Sequence, residues 1–236
     1  MLEIKNLTKR YSGITAVDGV NLSVCESETL GIIGTNGAGK TTLFNILTGF
    51  ESAESGTILY KEEDITKFSQ NALVKLGFAR TFQNLRLFYQ MTVRENLLVS
   101  AFACKKEPKI CDDLLRTVGL FEKRNHVSSS LSYGEMRKLE IARAVATGAT
   151  VLFLDEPSAS MTKSEALELG NTLDKLKQTY SLTAVLIEHN MDLVRQNCDR
   201  VYAMAEGKII SSGTPERVLT DPAVTKTMLG RRYVKG

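Results

Sequence analysis

The sequence predicts an α/β fold: a parallel sheet carrying a glycine-rich loop, with short strands at the N-terminus and an inserted α-helical lobe. Three observations point there. The run Gly34-Thr-Asn-Gly-Ala-Gly-Lys-Thr41 fits G-x-x-x-x-G-K-[ST], with an apolar strand candidate before it and a helix candidate after it. The apolar run 150–154 reads as a buried parallel strand and is followed by Asp155-Glu156. The stretch from about 92 to 147 has a different texture, with separate helical runs unlike the segments on either side of it.

In chain order, residues 2–7, 16–24 and 29–33 are short apolar or alternating stretches between polar turns, and read as strands. Residues 41–47 form the helix after the phosphate loop, stopped near Gly49. Glu54-Ser-Gly is a turn before a strand at 57–60, and Lys61-Glu-Glu63 a hairpin turn before Asp64. A short helix at 71–76 and a short strand at 79–82 follow. Within the helical stretch, residues 92–103 form a helix, with Glu95 three residues after Thr92 as a capping box. Pro108 breaks the pattern, and 111–118 and 134–146 are further helices. The core resumes with the strand 150–154, a helix at 163–178, a strand at 183–187 and a helix at 191–197. Strands at 200–204 and 208–212 close the sheet. Thr214-Pro-Glu opens a helix with Pro at its first position, and Leu229-Gly230 ends the last helix before a short basic tail.

At 236 residues, 43% hydrophobic and 24% charged, the composition is that of an ordinary soluble protein, either one large domain or a core with a smaller lobe. A net charge of +3 gives only weak support for a nucleic acid or an anionic surface as partner. The first residues carry no signal-peptide pattern, and no window approaches 18 consecutive apolar residues, so no spanning helix is expected. Cys25, Cys104, Cys111 and Cys198 match no zinc or disulfide framework and read as free thiols in a reducing compartment. With only His126 and His189 in the chain, a histidine-rich metal site is excluded.

The glycines of residues 34–41 permit left-handed turns, so that successive amides curl around phosphate oxygens at a helix N-terminus. Lys40 would reach the β and γ phosphates and Thr41 would offer its hydroxyl to Mg²⁺. The chain is therefore expected to bind a nucleoside triphosphate. Asp155 is suited to hold Mg²⁺ through water, and Glu156 to polarise a water for in-line attack. An Asp-Glu pair after a strand is, taken alone, as often a turn or a helix start. Leu131-Ser-Tyr-Gly-Glu135 places Ser132 and the Gly134 amide at a second helix N-terminus, a second anion site or simply an N-capped helix.

These motifs together resemble those of ATP-binding-cassette (ABC) transporter ATPase subunits, in family order and over nearly the whole chain. The resemblance implies a P-loop NTPase core with a parallel sheet, an N-terminal antiparallel β subdomain and an inserted α-helical lobe. Residues 1–236 would form one ABC ATPase domain, with 1–84 and 148–236 as a RecA-like core with β subdomain and 85–147 as the helical signature lobe. Tyr11 matches the aromatic that stacks on adenine, with Val17 beside it. Residues 34–41 match the Walker A loop, so that Gly34, Asn36, Gly37, Gly39, Lys40, Thr41 and the following Thr42 would bind ATP. Gln83 matches the Q-loop glutamine that touches Mg²⁺ and the attacking water. Ser132 and Gly134 match the signature loop, usually Leu-Ser-Gly-Gly-Gln, which meets the γ phosphate held by a partner cassette. Asp155 and Glu156 match the Walker B aspartate and the catalytic glutamate, and His189 the switch histidine. The resemblance thus gives Glu156, His189, Gln83 and Lys40 catalytic roles, and Thr41, Gln83 and Asp155 the metal.

Within that family, Arg80-Thr-Phe-Gln-Asn-Leu-Arg-Leu-Phe88 and Met91-Thr-Val-Arg-Glu-Asn-Leu-Leu98 resemble the LivG-type branched-chain amino acid importer ATPases. So do Leu139-Glu-Ile-Ala-Arg143 and Ile187-Glu-His-Asn-Met191. Residues 84–88 lie where importer ATPases receive a membrane subunit, although Leu85, Leu87 and Phe88 also fit core packing. Two departures stand out. Ser160-Met161-Thr162 replaces the usual Gly/Ala-Leu-Asp/Asn of the D-loop, and Lys61-Glu-Glu63 replaces the usual Gly or Asn hairpin turn. The implied protein hydrolyses ATP at the cytoplasmic face of the inner or plasma membrane, as a peripheral subunit importing branched-chain or other amino acids. Its partners would be a second ABC ATPase subunit, identical or related, transmembrane permease subunits, and indirectly a solute-binding protein. The ATPase of another ABC transporter, or a regulatory cassette with weak turnover, is the alternative. A nucleic-acid-associated cassette is disfavoured by one short cassette of near-balanced charge.

Overall fold

The computed structural model describes residues 1–228. The expected helix end at Leu229-Gly230 and the basic tail lie outside them. The chain divides into two compact units, Met1–Gln70 with the chain from Val185 onward, and Asn71–Ala184.

In the first unit, strands β1 (Leu2–Tyr11), β2 (Ile14–Val24), β4 (Ser55–Tyr60) and β5 (Glu63–Asp64) form an antiparallel sheet in the order β2-β1-β4-β5. The first residues of β1 alternate, Leu2 and Ile4 buried, Glu3 and Lys5 exposed. The alternation then slips by one. Asn6 adopts a left-handed backbone (φ 50°), and the register against β2 steps from Ile4↔Leu22 to Leu7↔Val20. This bulge puts Leu7 back on the core side, where strict alternation would have turned it outward.

The phosphate loop belongs to a second group of strands in this unit. β3 (Thr29–Gly34) is buried at every position and runs parallel to β9 (Arg200–Ala205), from Leu30↔Arg200 to Gly34↔Met204. β10 (Lys208–Gly213) pairs antiparallel with β9. After the loop comes helix α1 (Lys40–Leu47), which buries Leu43, Phe44, Ile46 and Leu47 and stops at Gly49, where φ is 72°. Strand β8 (Thr183–Ile187) crosses the boundary between the units. Thr183 N donates to Thr150 O at 2.9 Å in the second unit, and Glu188 N, just past the strand, to Ile32 O at 3.4 Å in the first. Helices α7 (Met191–Asn197), α8 (Pro215–Leu219) and α9 (Pro222–Met228) complete the unit, with Asn190 and Thr214 as side-chain caps of the first two.

The second unit pairs β6 (Phe78–Arg80) in parallel with β7 (Val151–Asp155), and the rings of Phe78 and Phe153 stack at 5.6 Å. Helix α2 (Gln70–Lys75) leads into it. The segment 85–147, read as a helical lobe, falls wholly inside this unit. It holds α3 (Val93–Ala103), α4 (Lys109–Thr117), α5 (Tyr133–Val145) and two single 3₁₀ turns. Val93, Leu97 and Ala101 of α3, Leu114 and Leu115 of α4, and Leu139, Ala142 and Val145 of α5 are buried where these three helices pack together. Each of the Val and Leu side chains contributes about 1.5–3 kcal/mol on burial. Helix α6 (Lys163–Tyr180) follows β7.

Several boundaries differ from expectation, for local reasons. The turn expected at 54–56 is already strand, because Ser55 pairs with Thr8. Gly56 is needed there, since a Cβ would stand 2.6 Å from Asn6 O. β6 covers 78–80 rather than 79–82. Thr81 N still donates to Phe153 O at 2.9 Å, and the chain then leaves the sheet. α4 begins at Lys109 directly after Pro108, two residues before the expected start. β7 ends on Asp155, which is the strand's last residue rather than the first beyond it. The hairpin turn is Lys61-Glu62 alone, because Glu63 pairs with Tyr60.

Candidate functional site

In the first unit the loop 34–41 is shaped by contacts that forbid side chains. A Cβ on Gly34 would stand 2.3 Å from Met204 O, and one on Gly39 (φ 98°) 2.1 Å from Ala16 O. Gly37 has φ 80° and nothing within 4 Å of a built Cβ, so its backbone conformation alone calls for glycine and the space above it is open. Gly207 N donates to Ala38 O at 3.1 Å and Asp18 N to Gly207 O at 2.9 Å, so β2 and the β9–β10 turn brace the loop. Gly39 occupies the N-cap position of α1 with no side-chain cap, so the first amides of the helix face the loop's mouth. Lys40 is 6% exposed, and its Nζ donates to Gly34 O at 2.8 Å and Thr35 O at 3.0 Å. The cradle therefore has its positive charge inside it. Asn36 and Thr41 are exposed and Thr42 is half-buried.

Two further predicted residues of this unit lie on the N-terminal sheet. Tyr11 ends β1 with 40% of its surface exposed, and the Lys9 ammonium stands 5.3 Å from its ring centre. Val17 is 0% exposed and presents no side-chain surface to a ligand. His189 is exposed directly after β8. Its turn is fixed by Glu188, a buried carboxylate whose Oε2 accepts from His189 N at 2.9 Å and Asn190 N at 3.0 Å.

In the second unit the structure brings Gln83, Asp155 and Glu156 together. Asp155 Oδ2 accepts from Arg80 Nη2 at 2.8 Å, both side chains being almost wholly buried. Glu156 has a left-handed backbone (φ 47°), uncommon for a non-glycine residue and worth about 1–2 kcal/mol of strain. Its Oε2 accepts from Gln83 Nε2 at 3.1 Å.

Ser132 caps α5. Its Oγ accepts from Glu135 N at 3.3 Å, while Glu135 Oε2 accepts from Ser132 N at 3.0 Å. This bond uses a lone pair of the hydroxyl, so the O–H is the part suited to phosphate. Burial opposes ionisation of Glu135, but Lys123 and the Ser132 amide outweigh it and hold its carboxyl below the usual range. A cavity of about 270 Å³ opens beside this helix start, lined in part by Ser132, Gly134, Lys138 and Glu165. Gly134 is buried, yet a Cβ there would make only ordinary contacts with the Glu165 side chain, the nearest being Oε1 at 3.6 Å. In the D-loop Thr162 caps α6, its Oγ1 accepting from Glu165 N at 3.3 Å, and Ser160 has φ 64°.

Of the apolar residues after Gln83, Leu87 is buried core, whereas Phe88, Tyr89 and Met91 are exposed, as is Phe102 on α3. The candidate metal donors are the Thr41 hydroxyl, the Asp155 carboxylate and the Gln83 amide, all hard oxygen groups with a single carboxylate. That set fits Mg²⁺, which keeps water and phosphate oxygens as its other ligands. Among the described residues no group of three His, Cys, Asp or Glu forms a self-contained metal cage.

Sequence reasoning missed Arg80, Glu188, Arg137 and Glu140. Each reads in the sequence as one more surface charge. Glu188 alone carried a signal, standing between an apolar strand and a candidate histidine.

The family pattern described as ABC transporter matches residues 17–159. The high-affinity branched-chain amino acid transport ATP-binding protein LivG of Escherichia coli K12 is 38% identical over 250 residues, covering 98% of each chain. The corresponding BraF of Pseudomonas aeruginosa is 38% identical over 249 residues, again 98% of each. Among solved structures, the ADP conformation of MJ1267, an ATP-binding cassette of an ABC transporter, superposes with a TM-score of 0.90 at 32% identity, covering 98% of both chains.

Proposed function

The chain belongs to the ABC transporter family as an ATP-binding, ATP-hydrolysing subunit, and from that premise we propose that it powers amino acid import, with branched-chain amino acids as the solute. It works as a peripheral subunit at the cytoplasmic face of the membrane, as one cassette of a pair bound to permease subunits. The likeness to LivG and BraF over nearly the full chain supports that choice of solute. The catalytic reading is carried by one observation, the Gln83 amide held 3.1 Å from the Glu156 carboxylate beside Asp155.

ATP enters with its phosphates against the amides of residues 35–41 and the N-terminus of α1. Lys40 exchanges its carbonyl partners Gly34 and Thr35 for β and γ phosphate oxygens. Asn36, Gly37 and Thr42 line the same mouth, and Tyr11 stacks on the adenine with Val17 shaping the sheet beneath. Thr41, Asp155 and Gln83 would hold Mg²⁺, which supplies charge neutralisation on the β and γ phosphates. Glu156 orients the attacking water and accepts hydrogen bonding from it, with the Gln83 amide fixing the carboxylate's direction. His189 contacts the γ phosphate from a turn held by Glu188. Ser132 and the Gly134 amide serve the nucleotide of the partner cassette, whose own signature loop serves this one. Phe88, Tyr89 and Met91 offer an apolar face to the permease.

The test is reconstitution of the chain with its membrane subunits, in vesicles holding ATP. Leucine, isoleucine or valine, delivered by the cognate binding protein, should raise phosphate release and accumulate inside. Stimulation by arginine or a non-amino-acid solute alone would overturn the substrate assignment.

A further inference from the structure

Arg137 is fully buried within α5, although nothing in the proposed reaction uses it. Its guanidinium is spent on the loop that carries Gln83. Nη1 donates to Phe82 O at 2.8 Å and Nη2 to Gln83 O at 2.8 Å. Glu140, one helical turn on, holds the same guanidinium through Oε2 at 2.7 Å. Its other oxygen, Oε1, accepts from Arg86 N at 2.9 Å. One buried ion pair thus grips the loop at residues 82, 83 and 86. Burial pushes the Glu140 carboxyl upward, against the pull of Arg137, and removing either partner would strand the other charge in the interior. Arg137 Nη2 also donates to the Tyr133 hydroxyl at 3.1 Å, inside the signature loop.

We propose that Arg137, oriented by Glu140, is the positioning residue that fixes the Gln83 backbone so that its side-chain amide meets Glu156. The inference rests on the ATPase role of Gln83 and Glu156 proposed above. A planar fork with several donors can fix two successive carbonyls at once, and a lysine ammonium on a flexible stem cannot do so as rigidly. With the carbonyls of Phe82 and Gln83 released, the loop gains backbone freedom, and the Gln83 amide spends less time in contact with Glu156. A displacement of about 1 Å in such a group costs on the order of 100-fold in rate. The loss should appear in kcat, since the phosphate loop that binds ATP belongs to other residues.

The test uses the full chain carrying Arg137→Met with Glu140→Leu, which removes both charges together and avoids stranding one of them. Arg137→Lys is the second variant, and the one to use should the double variant fail to fold. Both should bind ATP within about threefold of the parent and lose roughly 10- to 100-fold in kcat. Adding Gln83→Ala should cost little more, because the clamp and the glutamine act as one unit. Hydrogen exchange of residues 82–86 should accelerate at least about tenfold, with α6 unchanged. Parental kcat in the variants, losses that multiply with Gln83→Ala, or unchanged exchange at 82–86 would each overturn the proposal. If the parent with its membrane partners shows no turnover, the catalytic reading of Gln83 and Glu156 fails, and the exchange measurement still decides whether the clamp exists.

Discussion

Gly39 cannot accommodate a methyl group, because its Cβ would fall 2.1 Å from a backbone oxygen of Ala16. Neither atom is the end of a flexible side chain, so the loop itself must move. Gly39→Ala is expected to weaken ATP binding by about 100-fold, some 2.7 kcal/mol. ATP titration by calorimetry checks this, and an affinity within twofold of the parent would contradict the proposed cradle. Thr162 shows the opposite case, a departure from the family pattern with a plain structural use. Its hydroxyl caps α6 and its amide meets the Glu165 carboxylate at 2.9 Å, a task that the usual Asp or Asn performs equally well. The unusual D-loop therefore starts its helix normally. Glycine and motif positions of this kind were readable in the sequence, since their meaning lies in spacing. Arg80, Arg137 and Glu140 were not, since nothing in a charged letter reveals that it is buried and paired.

At the scale of elements, the strands and helices of the core follow from apolar period and punctuation, and β8 and α7 match their expected bounds residue for residue. The capping box at Thr92–Glu95 was anticipated, while those at Ser132–Glu135 and Thr162–Glu165 carry the same S/T-x-x-E pattern and went unread. The bulge at Asn6 escaped for a different reason: alternation signals a strand but does not show where its register slips. Helix α5 buries residues 137–142 without interruption, so no apolar stripe distinguishes its faces. The β4–β5 hairpin holds a local conflict. Lys61 and Glu62 both have left-handed backbones, φ 50° and 72°, in a two-residue turn whose geometry favours Asn-Gly. Replacing Lys61 by Asn and Glu62 by Gly together should raise stability by about 1 kcal/mol, since the left-handed strain of two ordinary side chains is relieved, offset in part by the greater freedom of Gly in the unfolded chain. Chemical denaturation measures it; a destabilised double variant would show that these side chains make contacts that outweigh their backbone strain.

At the scale of the whole molecule, the chemistry is divided along the chain. Lys40, Thr41 and His189 belong to the first compact unit, and Gln83, Ser132, Asp155 and Glu156 to the second. The family identity was legible because these motifs occur in a fixed order across nearly the entire sequence, and the comparisons bear it out over 98% of the chain. The solute was less legible, for a physical reason: in the proposed machine it never touches this subunit, so the sequence has no need to encode a pocket for it. The central claim is that Glu156, held by Gln83, activates the water that cleaves ATP bound by the loop at residues 34–41. Glu156→Gln keeps the shape and removes the base, and single-turnover phosphate release from the chain with its membrane partners tests it most directly. The account predicts ATP affinity within about threefold of the parent and release slowed at least about 100-fold; release at the parental rate would contradict it.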